Sequence, residues 1–232
     1  MTNQQISSPR IFVELGLASP LMLLAPVLLA LPLLEWGFDL NWAAVGIGAA
    51  GWLIALVIRM PVALLAKQFL GSPAAIQRTI VYASGPAEET VRLGVLLIVG
   101  TQFEVAYSIG LGWAAIEVVY AIVNGFVILS LLSRDDEKAN EAREQLAELG
   151  IGTDVSPFWG ILERLSASMV HVALTLLVAR WPFLVIAAIP LHSVMNVTVL
   201  AANKHSAIFA QGVVAIFGVV LFMAGLAAFG QL

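Results

Sequence analysis

From Ile208 to Gly230 the chain carries no ionisable side chain, and six further apolar stretches of comparable length precede it. No other feature restricts the fold so tightly. A hydrocarbon core roughly 30 Å thick is crossed by about 20 helical residues at 1.5 Å each, so each stretch can span a bilayer as a helix. A membrane barrel would instead show alternating segments of about 10 residues, and none is found. The residue balance agrees: 60% are hydrophobic and 11% charged, with a mean hydropathy of +0.96, whereas soluble domains carry about 25% charged residues. The expected class is all-α, a polytopic membrane helical bundle of about seven transmembrane helices in a single integral membrane domain over residues 1–232. Without cysteine there are no disulfides, thiolate metal sites or thiol nucleophiles. The net charge of −4 comes mostly from one loop, and no nucleic-acid partner is expected.

The polar start, Met1 to Arg10, leads into an apolar run that extends to Leu34, longer than the roughly 7–15 residues of a signal-peptide core. It is therefore read as the first span, Phe12 to Leu34, bent at Pro20, Pro26 and Pro32. The others are Trp42 to Ala66, Ala75 to Gly100, Val105 to Leu132, Pro157 to Val178, Pro182 to Ala202 and Ile208 to Gly230. Trp36 and Trp42 suit the membrane interface, and Gly46, Gly48 and Gly51 offer a small-residue packing surface. Residues 133–156 form a charged, amphipathic cytoplasmic loop, read as a surface helix ending at Gly150. Alternating spans collect Arg10, Arg59, Lys67, Arg78, Arg134, Lys138, Arg143 and Lys204 on one side and only Arg180 on the other. By the positive-inside rule the amino terminus is cytoplasmic and the carboxyl terminus outside. No internal repeat is found.

Within the third span, Ser84-Gly85-Pro86-Ala87-Glu88-Glu89-Thr90-Val91-Arg92 puts three charges at membrane depth. Such charges are expensive and face a protein interior or a water-filled cavity. They have company. His171 lies about nine residues before Arg180 and His192 about ten after Pro182, so both sit roughly 14–15 Å from one turn. Glu88 and Glu89 lie about 15 Å from Arg78, and Glu117 is about twelve residues into its span. His192 and Asn196 are four apart and share a face; Arg92 is four after Glu88 and three after Glu89. Arg164 aligns with His171, while Glu163 is turned away from His171 by about 80°. Singly, each histidine reads as a packing residue, and Arg92, Glu117, Glu163 and Arg164 read as supporting charge-neutralising groups. Together, Glu88, Glu89, His171, His192 and Asn196 at one depth read as a site.

No serine elbow, membrane aspartate pair or His-Glu-x-x-His helix occurs. What remains is water activated by a buried carboxylate with histidine help, with His192 and Asn196 placed to donate to a developing oxyanion. Two histidines and a glutamate (Glu88, His171, His192) could equally hold a catalytic zinc. Spacing leaves both open.

Glu88-Glu89-Thr90-Val91-Arg92, the later His171, and His192-Ser193-Val194-Met195-Asn196 resemble the three motifs of the CAAX-protease and bacteriocin-processing superfamily of membrane peptidases. The two residues between Glu89 and Arg92 are similar to the PrsW-like and YhfC-like branches. Gly110-Leu111-Gly112 leading to Glu117, and Glu163-Arg164 leading to His171, resemble the YhfC branch in particular. The resemblance implies an intramembrane peptidase in which Glu88 and His171 activate water and His192 and Asn196 form the oxyanion site. It also implies a membrane-embedded or lipid-anchored polypeptide substrate within a cell membrane of bacterial or archaeal type. Two other functions are compatible with the residues: a non-catalytic membrane scaffold of the same superfamily, and a proton-coupled transporter, which the lack of an inverted repeat disfavours.

Overall fold

The computed structural model describes residues 8–148, 156–203 and 206–232. In chain order it builds α1 (Ser8–Glu35), α2 (Trp42–Phe69), α3 (Pro73–Tyr82), α4 (Ser84–Val99), α5 (Phe103–Leu132), α6 (Glu137–Glu148), α7 (Trp159–Arg180), a 3-10 turn (Pro182–Leu184), α8 (Val185–Asn203) and α9 (Ala207–Ala227). There is no strand among the described residues. Among the described residues six helices are long and apolar enough to cross a membrane: α1, α2, α5, α7, α8 with its preceding turn, and α9. The protein is an all-α integral membrane bundle.

The expected third span is the one that differs. Ala75 to Gly100 is not a continuous helix but two, broken at Ala83, so the long spans number six rather than seven. Proline explains the break. Pro86 has no N–H to give the carbonyl four residues back, and that carbonyl, on Tyr82, accepts instead from Ser193 Oγ of α8 at 2.7 Å. Ser84 Oγ donates to the preceding carbonyl, Val81 O, at 2.7 Å. In α1, by contrast, the helix runs on through Pro20, Pro26 and Pro32.

Packing is that of a bundle in lipid. On α1, Leu15, Ala18, Met22, Ala25, Leu29 and Leu33 are buried, while Val13, Leu17, Leu21, Leu24, Leu28 and Leu31 are exposed. Both stripes are apolar, as a helix between protein and acyl chains requires. Small residues let the central helices meet. A Cβ on Gly48 would strike the backbone of Ile109 in α5, one on Gly112 the backbone of Val45 in α2, and one on Gly110 would lie 2.7 Å from Val172 Cα of α7. Gly51 rests on the Trp113 ring, whereas Gly46 has nothing within 4 Å and takes no part in the expected small-residue surface.

Helix ends sort to two faces. Phe103 packs at tilted and edge-on angles against Trp36, Phe38 and Phe229, and Arg180 Nε donates to Ala228 O at 3.1 Å, gathering the end of α1, the start of α5 and the ends of α7 and α9. At the other face Ser156 Oγ donates to Glu14 at 2.8 Å, and Arg143 of α6 donates to Leu132 O and Arg134 O. Asp136 caps α6 by accepting from Ala139 N–H at 3.0 Å. The expected end of that helix, at Gly150, lies outside the described residues.

Candidate functional site

Arg92 organises the site. Its side chain is 0% exposed, so all five of its N–H groups require partners inside the protein, and five contacts meet them. Nε donates to Glu89 Oε2 at 3.0 Å and Nη2 to Glu89 Oε1 at 3.3 Å. Nη2 also faces His171 Nδ1 at 3.2 Å, and Nη1 donates to His171 O at 3.2 Å and to Thr175 Oγ1. The guanidinium lies 4.3 Å from the centroid of the Trp113 ring.

The two adjacent glutamates therefore separate. Arg92 pairs with Glu89, three residues back, and not with Glu88 four back. Glu89 is fully buried, its Oε1 also 2.7 Å from His192 Nδ1. Glu88 turns to a cavity of about 380 Å³, with Oε1 3.3 Å from Arg59 Nη1 and Oε2 accepting from Trp113 Nε1 at 3.2 Å.

The hydrogen bonds also settle the histidine tautomers. A guanidinium can only donate, so His171 Nδ1 accepts from Arg92, and its ring proton lies on Nε2, which pairs with Glu117 Oε2. A carboxylate can only accept, so His192 holds a proton at Nδ1 against Glu89 and leaves Nε2 for the cavity, whose wall it forms. The rings are 5.7 Å apart, edge to face.

Glu117 is braced a second time by Arg164 Nη1 at 2.9 Å. Arg164 also pairs with Glu163, and Glu163 Oε2 accepts from Gln211 Nε2 at 3.2 Å. Asn196, one turn after His192, donates to Ser84 Oγ at 2.9 Å. Each of Glu88, Glu117, Glu163, Arg164, His171, His192 and Asn196 lines the one cavity; Glu89 and Arg92 stand behind it. Glu163, expected to point away from His171, reaches the same cavity by way of Arg164.

Ligand atoms of Glu88, Glu117 and His171 all lie within 4.8 Å of one another. This differs from the expected zinc set, with Glu117 in the place of His192. The donor chemistry does not fit a zinc as it stands: each of the three already faces a guanidinium, Arg59, Arg164 and Arg92 respectively. His171 would also have to give up its Nε2 proton while Nδ1 still accepts from Arg92, which a neutral imidazole cannot do.

Sequence reading missed four contributors. Arg59 counts in the sequence only among the cations of one membrane side, although it lies inside the expected second span, where a lone cation signals a cavity. Trp113, Thr175 and Ser84 carry no signal of their own, being ordinary residues of apolar helices until the fold brings them to a charge. No protein-family profile, curated protein or solved structure matches the chain.

Proposed function

We propose that the protein is an intramembrane peptidase with the motif arrangement of the CAAX-protease and bacteriocin-processing superfamily, in the manner of the YhfC branch. One observation carries the reading: α4, α5, α7 and α8 deliver Glu88, Glu117, His171, His192 and Asn196 to the wall of one cavity, in a bundle whose core is mostly apolar.

In this reading water in the cavity gives its proton to Glu88 as its oxygen attacks the peptide carbonyl carbon. Arg59 and Trp113 hold the carboxylate in place. The oxyanion that forms is met by N–H groups of His192 and Asn196, adjacent on α8, with Glu89 beneath His192 supporting a second ring proton. The C–N bond then breaks as the proton moves from Glu88 to the leaving nitrogen. His171, engaged at both ring nitrogens, holds Glu117 at the cavity wall. Four carboxylates (Glu88, Glu89, Glu117, Glu163) face three guanidiniums (Arg59, Arg92, Arg164), so one proton on His192 brings the formal balance to zero. This supports a carboxylate-activated water over a zinc-bound one. The positive-inside bias supports a cytoplasmic amino terminus and an outer carboxyl terminus, while the motif resemblance implies a membrane of bacterial or archaeal type and a membrane-embedded or lipid-anchored polypeptide as substrate.

The test uses purified protein in lipid nanodiscs with a panel of membrane-anchored peptides, the products read by mass spectrometry. Cleavage is expected, unaffected by chelator, and lowered about 100-fold or more in Glu88→Gln and about 100- to 1,000-fold in His192→Ala. The reading is lost if no peptide is cut, or if both variants cut as well as the parent.

A further inference from the structure

The cavity of the candidate site has a side that the proposed chemistry does not use. Tyr120, Ala121 and Asn124 of α5 line it together with Glu117, at three, four and seven residues from that glutamate, so the four form one stripe of the helix. The stripe runs about 10 Å along the axis of α5, from the depth of Glu117 toward the face that carries α6. Of the described residues in the cavity wall, Tyr120 and Asn124 are the exposed ones. Val119, Val123, Val127 and Ile128 are exposed beside them, and at these spacings all six share the outer surface of α5. Tyr120 and Asn124 thus belong to the cavity wall and to the lipid-facing surface at once, and the cavity opens there.

The other lip of the opening is α2. Farther from the α6 face, Gly48 and Gly112 hold α2 and α5 in backbone contact. The Tyr120 ring then packs on Trp52 at 5.2 Å between centroids, and beyond that pair Arg59 of α2 and Asn124 of α5 both line the cavity. Asn124 stands eight residues, about 12 Å, before the end of α5 at Leu132. A helix of 30 residues is about 45 Å long, more than the roughly 30 Å hydrocarbon core, so with α5 centred in the bilayer this amide lies within the apolar layer. An exposed amide at that depth is costly unless it finds a partner. A peptide bond presented for cleavage has left its own helix, and its N–H and C=O need partners in the same medium. An amide side chain both donates and accepts, so each is the complement of the other. We infer that the substrate enters sideways from the bilayer between α2 and α5, in the membrane half nearer α6, and that Asn124 at the mouth binds its unwound backbone. This rests on the peptidase reading for the class of ligand, and it makes that ligand a segment drawn from the lipid.

The test uses full-length Glu88→Gln protein in nanodiscs, where binding is separated from cleavage, with photoreactive benzoylphenylalanine in place of Asn124 or of Ile216. Ile216 is 67% exposed on α9 and about 13 Å from the start of that helix, a lipid-facing control at similar depth. The probes are biotinylated membrane-anchored peptides of the cleavage panel. Labelling of at least one peptide from position 124 should be saturable and 5-fold or more above that from position 216. In protein with Glu88 intact, Asn124→Leu should raise KM about 2- to 10-fold at unchanged kcat, the value of one hydrogen bond, and Asn124→Gln should restore it; a merely structural role would lower the active fraction and leave KM alone. Sideways entry is overturned if no peptide labels position 124 above position 216, or if KM does not respond to Asn124→Leu. Cleavage with equal labelling at the two positions would remove the side entrance and leave the peptidase reading. Selective labelling at position 124 with no peptide cut would remove the peptidase reading and leave the entrance as a peptide-binding site.

Discussion

Arg92 shows how a charge is kept inside an apolar bundle. A buried guanidinium is tolerable when every N–H has a partner and a carboxylate opposes it, and Glu89, His171, Thr175 and the Trp113 face supply those terms. Removing one partner of such a pair strands the other. Arg92→Ala should therefore destabilise the protein by about 3–5 kcal/mol, and adding Glu89→Gln should restore part of that loss. Thermal unfolding of the two single variants and the double variant in detergent would measure the coupling; additive effects would count against the pair as drawn. Lysine at position 92 should not rescue, because a point charge cannot serve Glu89, His171 and Thr175 together.

Among the elements, the α3–α4 break is the most informative. The carbonyl freed by Pro86 is taken by Ser193, a neighbour in sequence of His192. The break thus ties the start of the Glu88 helix to the histidine helix. Ser193→Ala should cost about 0.5–1.5 kcal/mol by removing the hydrogen bond to Tyr82 O. Combined with Pro86→Ala, which returns an N–H to position 86, the loss should shrink, and a double-mutant cycle by chemical unfolding would show it. The α2–α5 seam gives a second contrast. Gly112→Ala drives a Cβ into the Val45 carbonyl, its carbon 2.7 Å away, and should lower stability by about 1–3 kcal/mol. Gly46→Ala meets nothing within 4 Å and should be neutral or stabilising by about 0.5–1 kcal/mol. Melting temperatures of the two side by side would separate packing from propensity.

At the scale of the whole molecule, helix ends gather at two faces, and α3 with α4 returns the chain from the end of α2 to the start of α5. Because the chain has no cysteine, its orientation can be read with single cysteines. In intact cells a membrane-impermeant maleimide should label Asp39→Cys and Gln231→Cys, while Gly71→Cys and Asp135→Cys should label only after permeabilisation. The opposite pattern would overturn the proposed orientation.

The membrane class, the helical architecture and nearly all helix limits were legible in the sequence, since bilayer thickness and backbone hydrogen bonding leave a long apolar run few choices. Much of the cavity lining was legible too: Glu88, His171, His192 and Asn196, read as a site, and Glu117, read as a supporting group, all reach its wall, because polar groups at membrane depth are costly and helical rise puts them at one level, whereas Glu89, read with the site, stands behind it. What the sequence by itself could not decide was which group bonds which. Glu88 and Glu89 are both within helical reach of Arg92, and only the packing of α7 and α8 against α4, which sets His171, Thr175 and His192 around the guanidinium, gives Glu89 to Arg92 and Glu88 to the cavity. The break at Ala83 belongs to the same class. Pro86 announces a missing hydrogen bond, but whether a helix runs on, as α1 does through three prolines, or stops depends on a partner for the freed carbonyl, and that partner, Ser193, arrives from more than a hundred residues away. Spacing along a helix fixes which side chains share a face; distances across helices, where hydrogen bonds and charges choose between near-equal partners, exist only once the bundle has closed.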